Sequence, residues 1–435
     1  MTLKEHLGKN VTLAFPVIVG QLGHIMVGVA DSLMVGRLGV VPLAGATFAG
    51  TFYYILLLFG IGVSYAITPL VAATDPKRKS KLLLFLQNGF LLNLILAILL
   101  FAIGWGSSTF MEYFGQEREV VEAARPYLQI MCGSFVPLMI FQTFRQYAEG
   151  LSDTVNPMIV SIIANVLNVA LNYLLIYGKM GFPMLGLNGA GYATMISRIF
   201  MSVLMIWMLK EKWRGFQWRF NRQRMTQLFK LGFPSGLQYV FEVGAFATSA
   251  IMVGWISAEA LAAHNIALNL ASISYMCATG LAAAATIRIG NQLGRKDKRN
   301  LRMAGFSSFG LVAGFMIGSS IFLIATRNYL PTLYIENEAV LKIAATLLII
   351  AAAFQLSDGV QAVGLGVLRG LKDVKVPTIT TFVSYWIIAI PLAYYFGFLL
   401  AWGINGIWYA LSIGLTISGV VNVLRFNKLS KRLKF

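Results

Sequence analysis

Twelve apolar stretches, each separated from the next by a short polar segment, run the length of the sequence. Each is close to the roughly 20 residues that an α-helix needs to cross a bilayer. The pattern predicts helices over 11–36, 45–72, 81–105, 123–148, 155–177, 188–209, 227–255, 260–288, 301–325, 338–365, 376–397 and 404–426. No region reads as a strand domain or a low-complexity tail. The first run is too long for the core of a signal peptide and carries Asp31, so it reads as a retained first helix.

Composition removes the soluble alternative. Of 435 residues, 57% are hydrophobic and only 12% charged, with a mean hydropathy of +0.72. Soluble domains carry about 25% charged residues to cover their cores. The expected fold is therefore all-α and integral to the membrane. A net charge of +18 would suit a nucleic-acid binder, but the basic residues sit in alternate short loops. One set holds Lys4 and Lys9, then Lys77–Lys81, the stretch from Lys210 to Arg224, the stretch from Arg295 to Arg302, then Arg369, Lys372 and Lys375, and the tail with Lys428, Lys431, Arg432 and Lys434. The other set is poor in Lys and Arg and contains Glu112, Glu117, Glu119, Glu122, Glu259, Glu336 and Glu338. By the positive-inside rule both termini are cytoplasmic. The expectation is a multi-pass protein of the cell (inner) membrane, a monomer that binds no nucleic acid. Cys132 and Cys277 lie in apolar runs with no CxxC or Cys/His neighbourhood, so they read as core residues.

The sequence repeats. LAFP at Leu13–Pro16 matches LGFP at Leu231–Pro234, and MVG at Met34–Gly36 matches MVG at Met252–Gly254. EGLSDTVNPMI from Glu149 matches RGLKDVKVPTI from Arg369, and GLNGAGYA from Gly186 matches GINGIWYA from Gly403. Two pseudo-symmetric six-helix bundles follow: residues 1–209 and 227–435, joined by a basic cytoplasmic linker at 210–226. Halves with an even number of spans enter from the same side, and such repeats normally place a substrate cavity near the midplane between them.

Three acids fall well inside the spans: Asp31, Glu242 and Asp358. A charge at the bilayer centre costs roughly 2.5–3.5 kcal/mol on insertion scales, so such groups are usually functional. Asn168 and Asn172 share a helix face with Asn165, and Thr194 follows in the sixth span. With Asp31 they form a candidate Na⁺ site, because a hard cation takes carboxylate, carbonyl and hydroxyl oxygens. Glu242 and Asp358 come from different spans and can converge. Burial disfavours the charged carboxylate, so a buried acid can exchange a proton for a cation. His24, aligned with Glu242 by the repeat, suits either a proton relay or a hydrogen-bonded packing role. Arg198 either neutralises an acid of the first half or snorkels. Tyr53, Tyr239, Phe241, Phe354 and Tyr385 are candidates for an aromatic substrate cavity. Gly310, Gly314 and Gly318 form a small-xxx-small face suited to close helix packing. No Walker A, HExxH, GxSxG or strand-borne GxGxxG motif is present, so the chain carries no enzyme signature and no ATP site.

The stretches FPVIVGQLGHIMVGVADSLMVGRLG, LFKLGFPSGLQYVFEVGAF, AAHNIALNLASISYM and SDGVQAVGLGVLRGLKDVKVP resemble, in order, helices one, seven, eight and ten of the multidrug and toxic compound extrusion (MATE) family, in its NorM-like branch. The resemblance covers essentially the whole chain. It implies two bundles that open alternately to either side, and antiport of cationic or amphiphilic compounds against Na⁺ or H⁺ with no covalent cofactor. It places Asp31 at the family's first-helix acid, Asn168 and Asn172 at its fifth-helix polar positions, and Glu242 and Asp358 at the acids of the second lobe. Some relatives carry a tyrosine one turn before the last of these; here it is Phe354, and that phenol is missing. The competing readings are a lipid-linked precursor flippase of the wider superfamily, which should carry several basic residues in its cavity, and a channel or receptor. The buried acids and the repeat favour the exporter.

Overall fold

The computed structural model describes residues 2–433; Lys434 of the basic tail lies outside them. Among the described residues twelve helices are long and apolar enough to span a membrane. They are α1 Leu3–Gly36, α2 Val40–Ala72, α3 Lys79–Thr109, α4 Arg118–Gly150, α5 Val155–Tyr177, α6 Gly186–Met208, α7 Arg222–Gly254, α8 Ala258–Gly294, α9 Lys298–Thr326, α10 Glu338–Gly370, α11 Lys375–Leu399 and α12 Gly403–Arg432.

Several helices run past their apolar segments because polar residues at their ends are paired inside. The first two turns of α1 direct His6 and Asn10 inward, one turn apart. His6 Nδ1 accepts Arg288 of α8 at 2.6 Å, and its Nε2 meets Asn300 Oδ1 of α9 at 3.0 Å. Asn10 Nδ2 donates to Ser307 Oγ at 3.0 Å and Ser308 Oγ at 2.9 Å. Each buried polar atom paired in this way avoids a desolvation penalty of about 1–3 kcal/mol.

The repeat is visible in backbone detail. Ser152 and Lys372 occupy equivalent loop positions and both adopt left-handed φ, 66° and 65°. In each loop the next residue is an aspartate whose N–H donates to a carbonyl five residues back, Asp153 to Ala148 and Asp373 to Leu368, both at 2.9 Å. Each aspartate is then ion-paired: Asp153 with Lys212, and Asp373 with Arg425 at 2.8 Å. Burial pushes the Asp153 carboxyl up, but Lys212 and the Asn156 hydrogen bonds outweigh it and hold it below its usual range.

By internal contacts the chain divides into two compact units. One contains Val19–Gly236; the other contains the residues up to Ile18 and those from Leu237 onward. The divisions fall inside α1 and α7, whereas the sequence repeat placed the boundary in the 210–226 linker. Glycine explains the difference. A Cβ on Gly62 of α2 would lie 2.7 Å from Gly236 Cα and 2.8 Å from the Ser235 carbonyl oxygen. The first half of α7 therefore packs backbone to backbone on α2. In the other unit, Gly280 of α8 makes the equivalent close approach to Ile18 of α1.

In the first unit a core forms around Tyr53, Leu100, Met111, Leu128 and Phe135. In the second, α8, α10 and α12 pack around Trp408, Phe354 and Tyr385. α11 is distorted by wider, π-type turns at Val383–Ala389 and Tyr395–Leu399, flanking Pro391. One expectation is corrected here. Gly310, Gly314 and Gly318 do not pack against a helix: a Cβ at any of them would have nothing within 4 Å. All three are exposed, together with Phe315 and Ile317.

Candidate functional site

In the Val19–Gly236 unit, α1, α5 and α6 bring four of the singled-out polar side chains into one chain of hydrogen bonds. Asn172 Nδ2 donates to Asp31 Oδ1 and also to Asn168 Oδ1 at 3.2 Å. Asn168 Nδ2 in turn reaches Thr194 Oγ1 at 3.5 Å. The spacing of Asn168 and Asn172, one helical turn, puts both amides on the same face of α5. One turn beyond Asp31, the Tyr177 hydroxyl donates to the Met34 carbonyl at 2.8 Å and clamps α5 to α1. Asn172 is fully buried, and its Oδ1 has no hydrogen-bond partner. A buried, unpaired amide oxygen beside a carboxylate is costly unless something else uses it. Together Asp31, Asn172, Asn168 and Thr194 offer an all-oxygen donor set of the kind a hard cation takes.

Arg198 belongs to the same neighbourhood, held there by hydrogen bonds rather than by a salt bridge. It makes no ion pair with Asp31. Its Nη1 donates to the Tyr53 hydroxyl and to Ser134 Oγ at 2.5 Å. Ser134 sits at the break in α4 between Arg118–Gly133 and Phe135–Gly150, so the interruption is where the arginine docks. Its positive charge still acts on Asp31 through space. His24 is exposed on α1 and makes no hydrogen bond among the described residues.

In the other unit Glu242 of α7 accepts the Tyr275 hydroxyl of α8 at 3.1 Å. Asp358 of α10 is buried, makes no hydrogen bond among the described residues, and interacts electrostatically with Glu242. Amides flank it on α10. Gln355 Nε2 donates to Ser274 Oγ at 2.7 Å, and Gln361 Oε1 accepts the Tyr385 hydroxyl at 2.8 Å. Gln355 Oε1 is left buried and unpaired. Glu149 shows the contrast: that acid is also buried but is neutralised by Arg145 at 2.8 Å, one turn away. Among the described residues no basic side chain forms an ion pair with Asp31, Glu242 or Asp358.

The aromatic candidates separate. Tyr53 is 2% exposed and stacks on Phe135 at 4.8 Å, and Tyr385 is wholly buried. Phe354 is buried against Trp408 at 5.7 Å, and Trp408 is held by its bond to His264 Nδ1 at 3.0 Å. These three sit within helix packing rather than on an open wall, because their polar or ring edges already have partners. Tyr239 and Phe241 stay half-buried. Trp386 is fixed by donating to the Phe241 carbonyl at 2.9 Å. Tyr275, Ser134, Gln355 and Gln361 were not singled out from the sequence. The signal for them, polar side chains in apolar spans, was the same as for the asparagines.

The sequence matches a known family model, MatE, over residues 16–174 and again over 234–395. The chain belongs to the MatE family. The two matched stretches are the two repeats: the first carries Asp31, Asn168 and Asn172, the second Glu242 and Asp358. Relatives within the curated proteins include the multidrug resistance protein NorM of Photobacterium profundum, 32% identical over 429 residues, which cover 95% of this chain and 93% of that one. Another is the multidrug resistance protein MdtK of Yersinia pseudotuberculosis, 32% identical, with 97% and 95% covered. Solved structures agree on the fold. The Vibrio cholerae MATE transporter VcmN matches with a TM-score of 0.91 at 17% identity, covering 99% of this chain and 98% of that one. A eukaryotic MATE transporter, AtDTX14, matches at 0.88 and 18%, with 99% and 98% covered. As a MatE protein with twelve apolar helices, the chain is a multi-pass membrane protein.

Proposed function

We propose that this chain is a secondary active multidrug exporter, exchanging cationic or amphiphilic organic compounds for Na⁺ or H⁺. The observation that carries the reading is that Asp31, Glu242 and Asp358 all lie within spans without an ion-pair partner among the described residues, while Asp153, Asp373 and Glu149 are paired. Negative charge kept uncompensated in a membrane protein is a site for a moving cation. The multidrug resistance proteins it resembles over nearly its whole length support multidrug export, and the uncompensated acids support a cationic compound.

Two oxygen-rich sites suit two kinds of cation. Asp31, Asn172, Asn168 and Thr194 would hold the coupling ion; a proton would sit on the Asp31 carboxylate, and Na⁺ would take the carboxylate with the free Asn172 Oδ1. Glu242 and Asp358, with Tyr275 and the aromatic side chains of α7 and α11 beside them, would hold an organic cation. Binding of the ion and of the compound must favour different conformations for one gradient to drive the other. The Lys/Arg-rich loops support an orientation with both termini in the cytoplasm, in the inner membrane, and we take the monomer as the working unit. The test is efflux of a cationic dye from cells that express the chain. Accumulation should fall relative to empty-vector cells and rise again when the ion gradients are collapsed. Equal accumulation in both, with the protein present in the membrane, would end this reading.

A further inference from the structure

The first turns of α1 and α9 enclose a groove of about 750 Å³. Leu3 and Leu7 form one wall, Met303, Phe306 and Leu311 the other, and Gly310 leaves the floor open. Arg299 and Arg302 stand at its mouth. We propose that this groove holds one anionic phospholipid, its acyl chain along the apolar walls and its phosphate on Arg299 and Arg302.

Three features distinguish it from any lipid-facing seam. Its walls are fixed before a lipid arrives: α1 is pinned to α8 and α9 by His6 on Arg288 and Asn300 and by Asn10 on Ser307 and Ser308. Its charge is fixed as well. Arg302 lies over the Phe306 ring at 5.3 Å and donates to Ser430 Oγ at 2.7 Å and Asn427 Oδ1 at 3.0 Å, which holds the guanidinium at the rim. Arg299, by contrast, is exposed, and its guanidinium has no hydrogen bond or ion pair among the described residues. The nearby acid, Asp297, is occupied by the Asn300 backbone N–H at 3.0 Å and its side-chain amide at 2.6 Å.

The combination selects the occupant. A small anion would leave the apolar walls wet, and a zwitterionic lipid would bring its own cationic head group beside Arg299 and Arg302. A second copy of this chain would bring its own Arg295, Lys296 and Lys298 against the same charges. A molecule with one anionic head and a long apolar tail satisfies both ends, as basic pockets between membrane helices do for anionic headgroups. The reading rests on the membrane orientation proposed above, in which this end meets the anionic cytoplasmic leaflet. It does not depend on the exported compound or the coupling ion.

The test is native mass spectrometry of the purified protein titrated with phosphatidylglycerol or phosphatidylcholine in detergent. The wild-type chain should retain one phosphatidylglycerol more tightly than any phosphatidylcholine. Arg299→Gln should weaken that lipid about fivefold, the effect of one basic residue near a membrane surface. Gly310→Leu should abolish it by filling the floor, where a new side chain meets open space. Arg295→Gln, in the same basic segment but off the groove, should leave it unchanged. The proposal fails if Arg299→Gln binds as wild type, or if Arg295→Gln loses as much. It also fails if the particle is a dimer that Gly310→Leu separates. If Gly310→Leu did not fold, the comparison of the two arginine variants would still decide.

Discussion

Removing the Asn172 side chain isolates the physical work of the first candidate site. In Asn172→Ala, Asp31 loses the amide that orients its carboxylate, and the free Oδ1 disappears with it. A hydrogen bond to a charged group contributes about 1.5–3 kcal/mol. If that bond holds the carboxylate for the driving ion, its loss appears as ion affinity, about 10- to 150-fold at 1.4 kcal/mol per factor of ten. The assay is dye efflux from proteoliposomes, with the concentration of the driving ion varied and the half-saturating value read. Asn172→Ala should raise it by at least about tenfold. Asn165→Ala is the control: Asn165 is on the same helix but makes no hydrogen bond to Asp31, and it should shift the value less than about twofold. An unchanged half-saturating concentration in Asn172→Ala, or an equal shift in Asn165→Ala, would refute the assignment.

Other consequences follow from the packing. Arg198→Met strands the Tyr53 hydroxyl, while Ser134 keeps its bond to the Met131 carbonyl at 2.6 Å; the change should cost about 1–3 kcal/mol, read as a lower melting temperature in detergent. Glu149→Ala removes the carboxylate that neutralises the buried Arg145 and should cost about 3–5 kcal/mol; replacing both residues with Met should recover most of that loss. Gly62→Val drives a side chain into the Gly236 backbone, and should abolish a monodisperse peak in fluorescence-detected gel filtration. The same substitution at Gly314, which faces open space, should leave that peak intact.

The twelve helices were legible because nothing else in a protein produces so many apolar runs of that length. Their ends were not. Hydropathy stopped α8 near 288 and started α1 near 11, yet α8 continues to Gly294 and α1 begins at Leu3. The end turns hold Arg288 and His6, which look solvent-exposed one at a time and are buried only because they pair. The repeat was legible as sequence, down to the two aspartate loops; the matched left-handed φ of Ser152 and Lys372, neither a glycine, was not. The exchange of helix ends between units was not, since it depends on Gly62 meeting Gly236, a tertiary fit. Asp31, Asn168, Asn172 and Thr194 could be grouped in advance because polar residues in a membrane span need partners. Tyr53 and Tyr385 could not be placed, because an aromatic in a span says little until its hydroxyl is seen to be used, by Arg198 in one case and Gln361 in the other.

Coupling of an ion gradient to export through uncompensated acids is tested most directly by dye transport in proteoliposomes. The gradient imposed is Na⁺, H⁺ or neither, and the chains compared are the wild type, Asp31→Asn and Glu242→Gln. The expected result is transport by the wild type under at least one gradient and none without, and a severe loss in both variants despite normal reconstitution. Wild-type rates from both variants, or dye movement indifferent to either gradient, would contradict the coupling role of these acids.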